Sequence, residues 1–471
     1  MGGSPLDEIL DVGVGRALDA ATQFLEGNSP TQLLRRVGET IECVPPAPFA
    51  DRRWFQKSFG RSASATGDDL LTGRGLFYIA EDRRLRLDCT AGHYQMTWGY
   101  AHPELQALAI EAMRRGVAWD NHSNIPSDPV KRLAAKLVET ANRPLGSSAL
   151  HNPQSAIRNP QLDTALLGVC TGTVACAAAL KIMLMHFKRQ KGGKGAPVFI
   201  VLDGNYHGTY FLAQRLRGMW PDYFTNVEVA AVQPNAPDEL EQAFGRFGER
   251  VAGFWAEPIM MNREAIVVQP EYLQLARRLC DRAGALMAID EIQTGFWTPE
   301  VMMFRRCGIV PDFVVLGKGM TAGFHPLSAL LYRGELDCLA QYDAISTNGN
   351  AALAAVVGLG CIGLIERQAE RIGEVARRYH EAMAGLCAEF PDLLREPRGA
   401  GHMTTLKFHR PEDALGFHRC AVERGLWVRA HAYHEGHSGV LTKFALVRDD
   451  EAADFAVGAF RQILEDAPWR R

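Results

Sequence analysis

Residues 310–331 read VPDFVVLGKGMTAGFHPLSALL. An apolar, strand-like run leads into one lysine, Lys318, held between two glycines, and a loop broken by glycine and proline follows. An unpaired buried charge is very costly, so a lysine that must stay charged belongs in water. A lysine that is to lose its proton and attack a carbonyl benefits from a buried place. Taken alone, the stretch favours a strand-capping lysine that reaches solvent. The rest of the chain reverses that preference.

The same rhythm extends on both sides of Lys318. From about Leu166 to Arg333, short apolar runs end at small or polar residues and are followed by helical patterns: LLGV, APVFIVLD, VEVAAVQP, VAGFWAEP, ALMAID, PDFVVLGK and LSALLYR. Strands alternating with helices predict an α/β fold with a mostly parallel sheet covered by helices on both faces. We divide the chain into an N-terminal arm with part of a smaller α+β domain (1–120), a large cofactor-binding domain (121–345) and a C-terminal small domain (346–471). Gly75–Tyr100 alternates like a hairpin turning at Glu81 and Asp82, a helix follows in PELQALAIEAMRRG, and 151–161 reads as a long irregular loop.

Bulk properties narrow the function. The 471 residues are 47% hydrophobic and 22% charged with a net charge of −3, which gives no electrostatic reason to expect nucleic acid or an anionic membrane as partner. The ten cysteines form no C-x-x-C pair and read as reduced thiols packed as small apolar residues. The N-terminus MGGSPLDEIL lacks a basic and an apolar leader region. The apolar part of the longest uncharged run, Ala351–Ile365, is too short to span a bilayer. A cytoplasmic location is expected.

Ligands of open α/β sheets bind beyond the carboxyl ends of the strands. At those ends stand Thr171-Gly172-Thr173, Asp203 to Gly208, Glu257-Pro258, Asp290 to Gln293, and Lys318. Pyridoxal 5′-phosphate needs such a set: an amine to form an imine and shuttle protons, a carboxylate to keep the ring nitrogen protonated, a flat surface for the ring, and a cradle for the phosphate. Lys318 is the candidate amine. Asp290 fits the carboxylate, although a single such aspartate is more often a helix cap. Thr171-Gly172-Thr173 opens a helical run, where backbone N–H groups suit a phosphate. Tyr206 fits a residue that stacks on the ring, although a lone aromatic after a strand is more often core.

GALMAIDEIQTGF, PDFVVLGKGMTAGFHPLSA, LDGNYHGTY and VAGFWAEP together resemble the class III (omega-type) aminotransferases of the fold-type I pyridoxal phosphate enzymes. The resemblance runs from about Gly75 onward, with LRLDCTAGHYQMTWGYAHPEL matching the family's entry region. It implies that Lys318 is the Schiff-base lysine and Asp290 the partner of the pyridine nitrogen. Gln293 would lie near the ring hydroxyl, Tyr206 would stack with His207 beside it, and Thr171, Gly172 and Thr173 would hold the phosphate. Glu257 matches the glutamate of the family's Glu-Pro pair. STNGNAALAA resembles the segment whose threonine reaches the phosphate of the other subunit, which implies a homodimer with shared sites; either Ser346 or Thr347 fills that role.

The departures lie elsewhere. Behind the phosphate turn the family's polar residues give way to Val174, Ala175, Cys176 and Ala177. The family's carboxylate-binding arginine falls on Lys443 and its gating glutamate on Asn262, and a lysine cannot form the bidentate fork of a guanidinium. His93, Tyr94 and Trp98 stand where pocket side chains fall. His431, His434 and His437 lie in a glycine-containing loop, better read as lining the entrance than as a metal site. The expected substrate is therefore a specialised polar amine or amino acid, not the common α-amino acids. The same carbanion also permits elimination, decarboxylation, epimerisation or carbon–carbon bond formation.

Overall fold

The seven apolar runs form seven strands: β1 (Thr164–Val169), β2 (Val198–Leu202), β3 (Glu228–Val232), β4 (Val251–Ala256), β5 (Leu286–Asp290), β6 (Phe313–Leu316) and β7 (Ser328–Tyr332). They lie side by side in the order β1-β7-β6-β5-β4-β2-β3. Neighbours from β6 through β3 are parallel. Only β7 runs against its neighbours, β6 on one side and β1 on the other. This computed structural model describes residues 5–50, 69–117, 125, 127–145, 162–192, 195–217, 226–432 and 435–470. The loop expected at 151–161 lies outside the described residues.

Strands β2, β4, β5, β6 and β7 are buried along their whole length, which explains why they read as continuous apolar runs and not as alternating ones. Successive residues serve opposite faces. Phe199 and Val201 pack with Ala175, Ala179 and Met183 of the helix Gly172–Lys191. Ile200 and Leu202 belong to the other core, with Leu273, Ala276 and Cys280 of the helix Pro270–Ala283.

Two smaller sheets flank this body. The predicted hairpin forms from Phe77–Ala80 and Leu85–Asp88. Leu70–Arg74 extends it on one edge, and Leu426–Trp427 from late in the chain joins it on the other. The second small sheet orders Leu394–Ala400, Met403–Phe408, Gly439–Lys443 and Arg429–His431. The uncharged run becomes the helix Ala352–Arg367, packed against helices Pro103–Arg114 and Asp128–Asn142. Among the described residues no single helix is long and apolar enough to cross a membrane.

Candidate active site

Asp290 closes β5, and its side chain is 2% exposed. A carboxylate at that depth must be supplied with donors. His207, on the loop after β2, places Nδ1 2.7 Å from Asp290 Oδ2. The Cys176 thiol donates to the same oxygen at 3.6 Å, and the Ile292 amide donates to Oδ1 at 2.9 Å. His207 therefore sits behind the carboxylate, packed on Trp255 with centroids 5.2 Å apart, and not merely beside Tyr206.

Lys318 follows β6 after one glycine, with φ of 37°. That left-handed backbone costs a non-glycine residue on the order of 1 kcal/mol or more, and such strain persists where the surroundings over-determine it. Here they do. A Cβ on Gly319 would fall 2.4 Å from Thr97 Oγ1 and 3.1 Å from Trp297 Nε1. Without one, the Thr97 hydroxyl donates to the Gly319 carbonyl at 2.8 Å. The second glycine of the pair exists so that Thr97 and Trp297 can close on the lysine's turn. Burial lowers the affinity of the Lys318 amine for its proton, while Asp290 and Glu257 act in the opposite direction.

The residues around Lys318 form a cradle with unspent polar atoms. Thr171 caps the helix Gly172–Lys191 without using its side chain on the backbone. A Cβ on Gly172 would strike Ile292 at 2.4 Å, and one on Gly208, whose φ is 106°, would meet Thr173 Oγ1 at 2.3 Å. The turn and the loop after β2 thus close on each other. Buried and without a hydrogen-bond partner among the described residues are Thr173 Oγ1, His207 Nε2, Glu257 Oε2 and Gln293 Oε1. Half-buried Tyr206 donates its amide to Glu257 Oε1 at 2.9 Å, and its ring lies under the Arg217 guanidinium at 4.9 Å. A helix N-terminus with free hydroxyls, a carboxylate with one oxygen turned to the site and an amine at a neighbouring strand end fit pyridoxal 5′-phosphate.

A protein-family model described as "Aminotransferase class-III" matches residues 66–464. The chain belongs to the class III aminotransferase family. The cofactor of that family is pyridoxal 5′-phosphate. An ornithine aminotransferase of Emericella nidulans is 28% identical over 305 residues, covering 58% of this chain and 65% of the relative. The chain thus spans slightly under two thirds of that relative's length. An adenosylmethionine-8-amino-7-oxononanoate aminotransferase of Nitratidesulfovibrio vulgaris is 28% identical over 405 residues, 75% of this chain and 70% of the relative. A solved transaminase from the marine bacterium Virgibacillus superposes with a TM-score of 0.76 at 18% identity, over 89% of this chain and 98% of that one. That likeness speaks to the fold.

On the substrate side, this class III chain departs from its sequence-based expectations in instructive ways. Ala91, Gly92, His93 and Tyr94 all have φ between 48° and 72°, one turn of left-handed helix. Asp88 holds it, accepting from the Gly92 amide at 2.6 Å, the Thr90 amide at 2.7 Å and the Tyr100 hydroxyl at 3.0 Å. The turn puts His93 Nδ1 3.0 Å from Arg429 Nη1. An arginine only donates, so that nitrogen accepts and His93 is neutral. Burial, then the charges of Arg429, Lys318 and Lys443, push its pKa well below the usual histidine value. Arg429 also donates Nε to His431 Nε2 at 3.2 Å, and among the described residues no carboxylate pairs with it.

Lys443 is fully buried. Its ammonium lies 4.1 Å from the centroid of Trp297 and 5.5 Å from that of Tyr94, and it donates to the Gln293 carbonyl. Burial and the nearby Lys318 push its pKa far below the usual lysine value. Trp98, expected in the pocket, is fully buried and edge-on to His102 at 5.5 Å; Trp297, equally buried, is the tryptophan that packs on Lys443. Asn262 lies in the short turn Met261–Arg263, and no hydrogen bond joins it to Lys443. The acid nearby, Glu264, is already paired with Lys407 at 2.6 Å and Arg398 at 3.3 Å. The His431 and His437 rings stack at 6.4 Å; His434 is outside the described residues. Ser346 spends its hydroxyl within its own chain, accepting from the Cys170 amide at 3.0 Å and donating to the Gly168 carbonyl at 3.3 Å. Thr347 is exposed.

Burial, opposed in part by His207, raises the Glu257 carboxyl to about 7. A carboxyl raised in the folded state binds its proton more tightly there than in the unfolded chain. Its stabilising contribution is full below the ordinary glutamate range and is lost as pH rises through about 7. The Tm of the cofactor-free protein should accordingly fall between pH 5 and about pH 8, and Glu257→Gln should flatten that slope; identical slopes in calorimetry would refute the linkage.

Proposed function

We propose that this protein transfers an amino group from a substrate that also carries an anionic group. The observation that carries this reading is the division of charge around Lys318. Asp290 and Glu257 act on the Lys318 amine to hold its proton, Arg429 acts against it, and Lys318 in turn bears on Lys443; neither Arg429 nor Lys443 is paired with a carboxylate among the described residues. Pyridoxal phosphate supplies the electron sink that stabilises a carbanion beside the amino nitrogen. Asp290, held by three donors, would pair with the ring nitrogen. Gln293 Oε1 is free for the ring's polar edge and Thr173 Oγ1 for the phosphate. Lys318, with its basicity lowered by burial, takes the proton from the substrate carbon and returns it.

Arg429, a cation with no acid beside it among the described residues, and Lys443, whose charge burial disfavours, together constitute an electrostatic demand that a carboxylate satisfies. Lys443 gains most, since an anion would restore the charge that burial disfavours. The amino donors therefore include acids such as ornithine or 4-aminobutyrate in preference to putrescine, which has no carboxylate. Arg429→Met should lower kcat/KM for acidic donors about ten- to a hundredfold, the scale of losing a charged hydrogen bond, and leave diamines unchanged. Steady-state rates over that panel check both statements. Equal use of putrescine and ornithine, with Arg429→Met affecting both alike, would overturn the reading.

The reading includes a homodimer in which Thr347, exposed while Ser346 is committed, serves the phosphate of the partner subunit. Mixing inactive Lys318→Ala chains with inactive Thr347→Ala chains should restore part of the activity. Demonstrated subunit exchange without any recovery would count against a shared site.

A further inference from the structure

The sequence of the phosphate turn suggests that polar support behind it is gone, yet one residue there is aimed at the carboxylate on which the chemistry depends. We infer that Cys176 is a positioning residue for Asp290: its thiol joins the His207 imidazole and the Ile292 amide in occupying three acceptor directions of the carboxylate and leaves one, on Oδ1, for the cofactor's ring nitrogen.

An ionised carboxylate offers about four lone-pair directions. Two on Oδ2 are taken, by His207 Nδ1 at 2.7 Å and Cys176 Sγ at 3.6 Å. One on Oδ1 is taken by the Ile292 amide at 2.9 Å. The donor atoms come from three separate elements, the helix Gly172–Lys191, the loop after β2 and the turn after β5, so the carboxylate is fixed against rotation from three directions. Cys176 is fully buried in the first turns of that helix, among Ala175, Ala178 and Ala179. Burial and Asp290 itself raise the thiol well above the usual cysteine range, so the group donates as a thiol. A thiolate beside Asp290 would repel it; a protonated thiol orients it.

This inference rests on the cofactor assignment and not on the choice of substrate. The test compares wild type, Cys176→Ala and Cys176→Ser in three measurements. The first is the Asp290 carboxyl band of the cofactor-free protein, by infrared difference against Asp290→Asn. The second is the dissociation constant of pyridoxal 5′-phosphate, and the third is the pH profile of kcat in the loaded enzyme. Cys176→Ala should shift the Asp290 carboxyl band, and should weaken cofactor binding and lower kcat, the last two by about three- to tenfold, the worth of one modest hydrogen bond. Cys176→Ser, which keeps a donor, should recover most of each. An unmoved carboxyl band in Cys176→Ala, or equal losses in Ala and Ser that follow only a fall in Tm, would reduce Cys176 to a packing residue. Wild-type protein that binds no pyridoxal phosphate would instead sink the cofactor assignment, and the infrared arm would still report on the Asp290 contact.

Discussion

Lys318→Ala is expected to lose turnover by about 10⁴-fold or more, the upper scale for removing a positioned acid–base group, along with the visible absorbance of lysine-bound cofactor. The fold should survive. Lys318 is held by its backbone and by Thr97 and Trp297 closing on Gly319, and none of these contacts uses its amine. Removing the amine takes away both the repulsion it exerts on Lys443 and its attraction to Asp290 and Glu257, so the charge terms oppose each other and the variant should stay folded. Absorbance titration with pyridoxal phosphate and calorimetry check both halves. A yellow, active Lys318→Ala protein would mean that another amine, of which Lys443 is the nearest candidate, carries the reaction.

Asp290→Ala should cost about 10²- to 10³-fold in kcat, the scale of losing a preorganised electrostatic partner. Unlike the lysine variant it should also destabilise the protein. It strands the His207 Nδ1, Cys176 and Ile292 donors together, and each buried donor left unmatched costs about 1–3 kcal/mol before relaxation or water entry. The two variants therefore differ in what they break: Lys318→Ala removes an amine that holds no backbone contact, and Asp290→Ala strands three donors. Asp290→Asn, which keeps an acceptor oxygen, should recover stability more fully than rate. A rate close to wild type in Asp290→Ala would reduce the residue to a helix cap.

The difference between these residues and the ones that sequence reading missed is one of chain geometry. Lys318, Asp290, Glu257 and Thr171 all lie at or just beyond the carboxyl ends of strands, so a linear scan for strand ends already collects them. The continuous apolar runs announced a sheet buried on both faces, and even the one antiparallel strand, β7, read as a strand. Arg429 carries no such mark. It is one charged residue in a three-residue strand of the small sheet, and only the tertiary fold brings it to His93. Trp297 could have been noticed as lying four residues after Gln293 in a glycine-containing turn, but an aromatic there fits core equally well. The left-handed turn at Ala91–Tyr94 was not legible at all. Only Gly92 in it favours that conformation, and Ala91, His93 and Tyr94 adopt it because Asp88 holds the backbone amides. Cys176 read as a loss of polarity because the sequence does not show that its sulfur faces Asp290.

The order of the strands carries a consequence for how the protein is made. Among the described residues β1 pairs with β7 alone, Thr164 opposite Tyr332. A chain emerging from the ribosome therefore exposes this first strand of the seven-stranded sheet, unpartnered, until the last of the seven has been translated. Unpaired strand edges and late non-local pairings are the states most open to misassociation, and those that chaperones shield. The pocket is later still, since Lys443 lies on the strand Gly439–Lys443 and reaches Trp297 only when that strand is in place. A nascent chain can thus hold Lys318 and Asp290 long before it has a finished pocket to put them in, and the reactive amine stays without a substrate site until synthesis has passed it by.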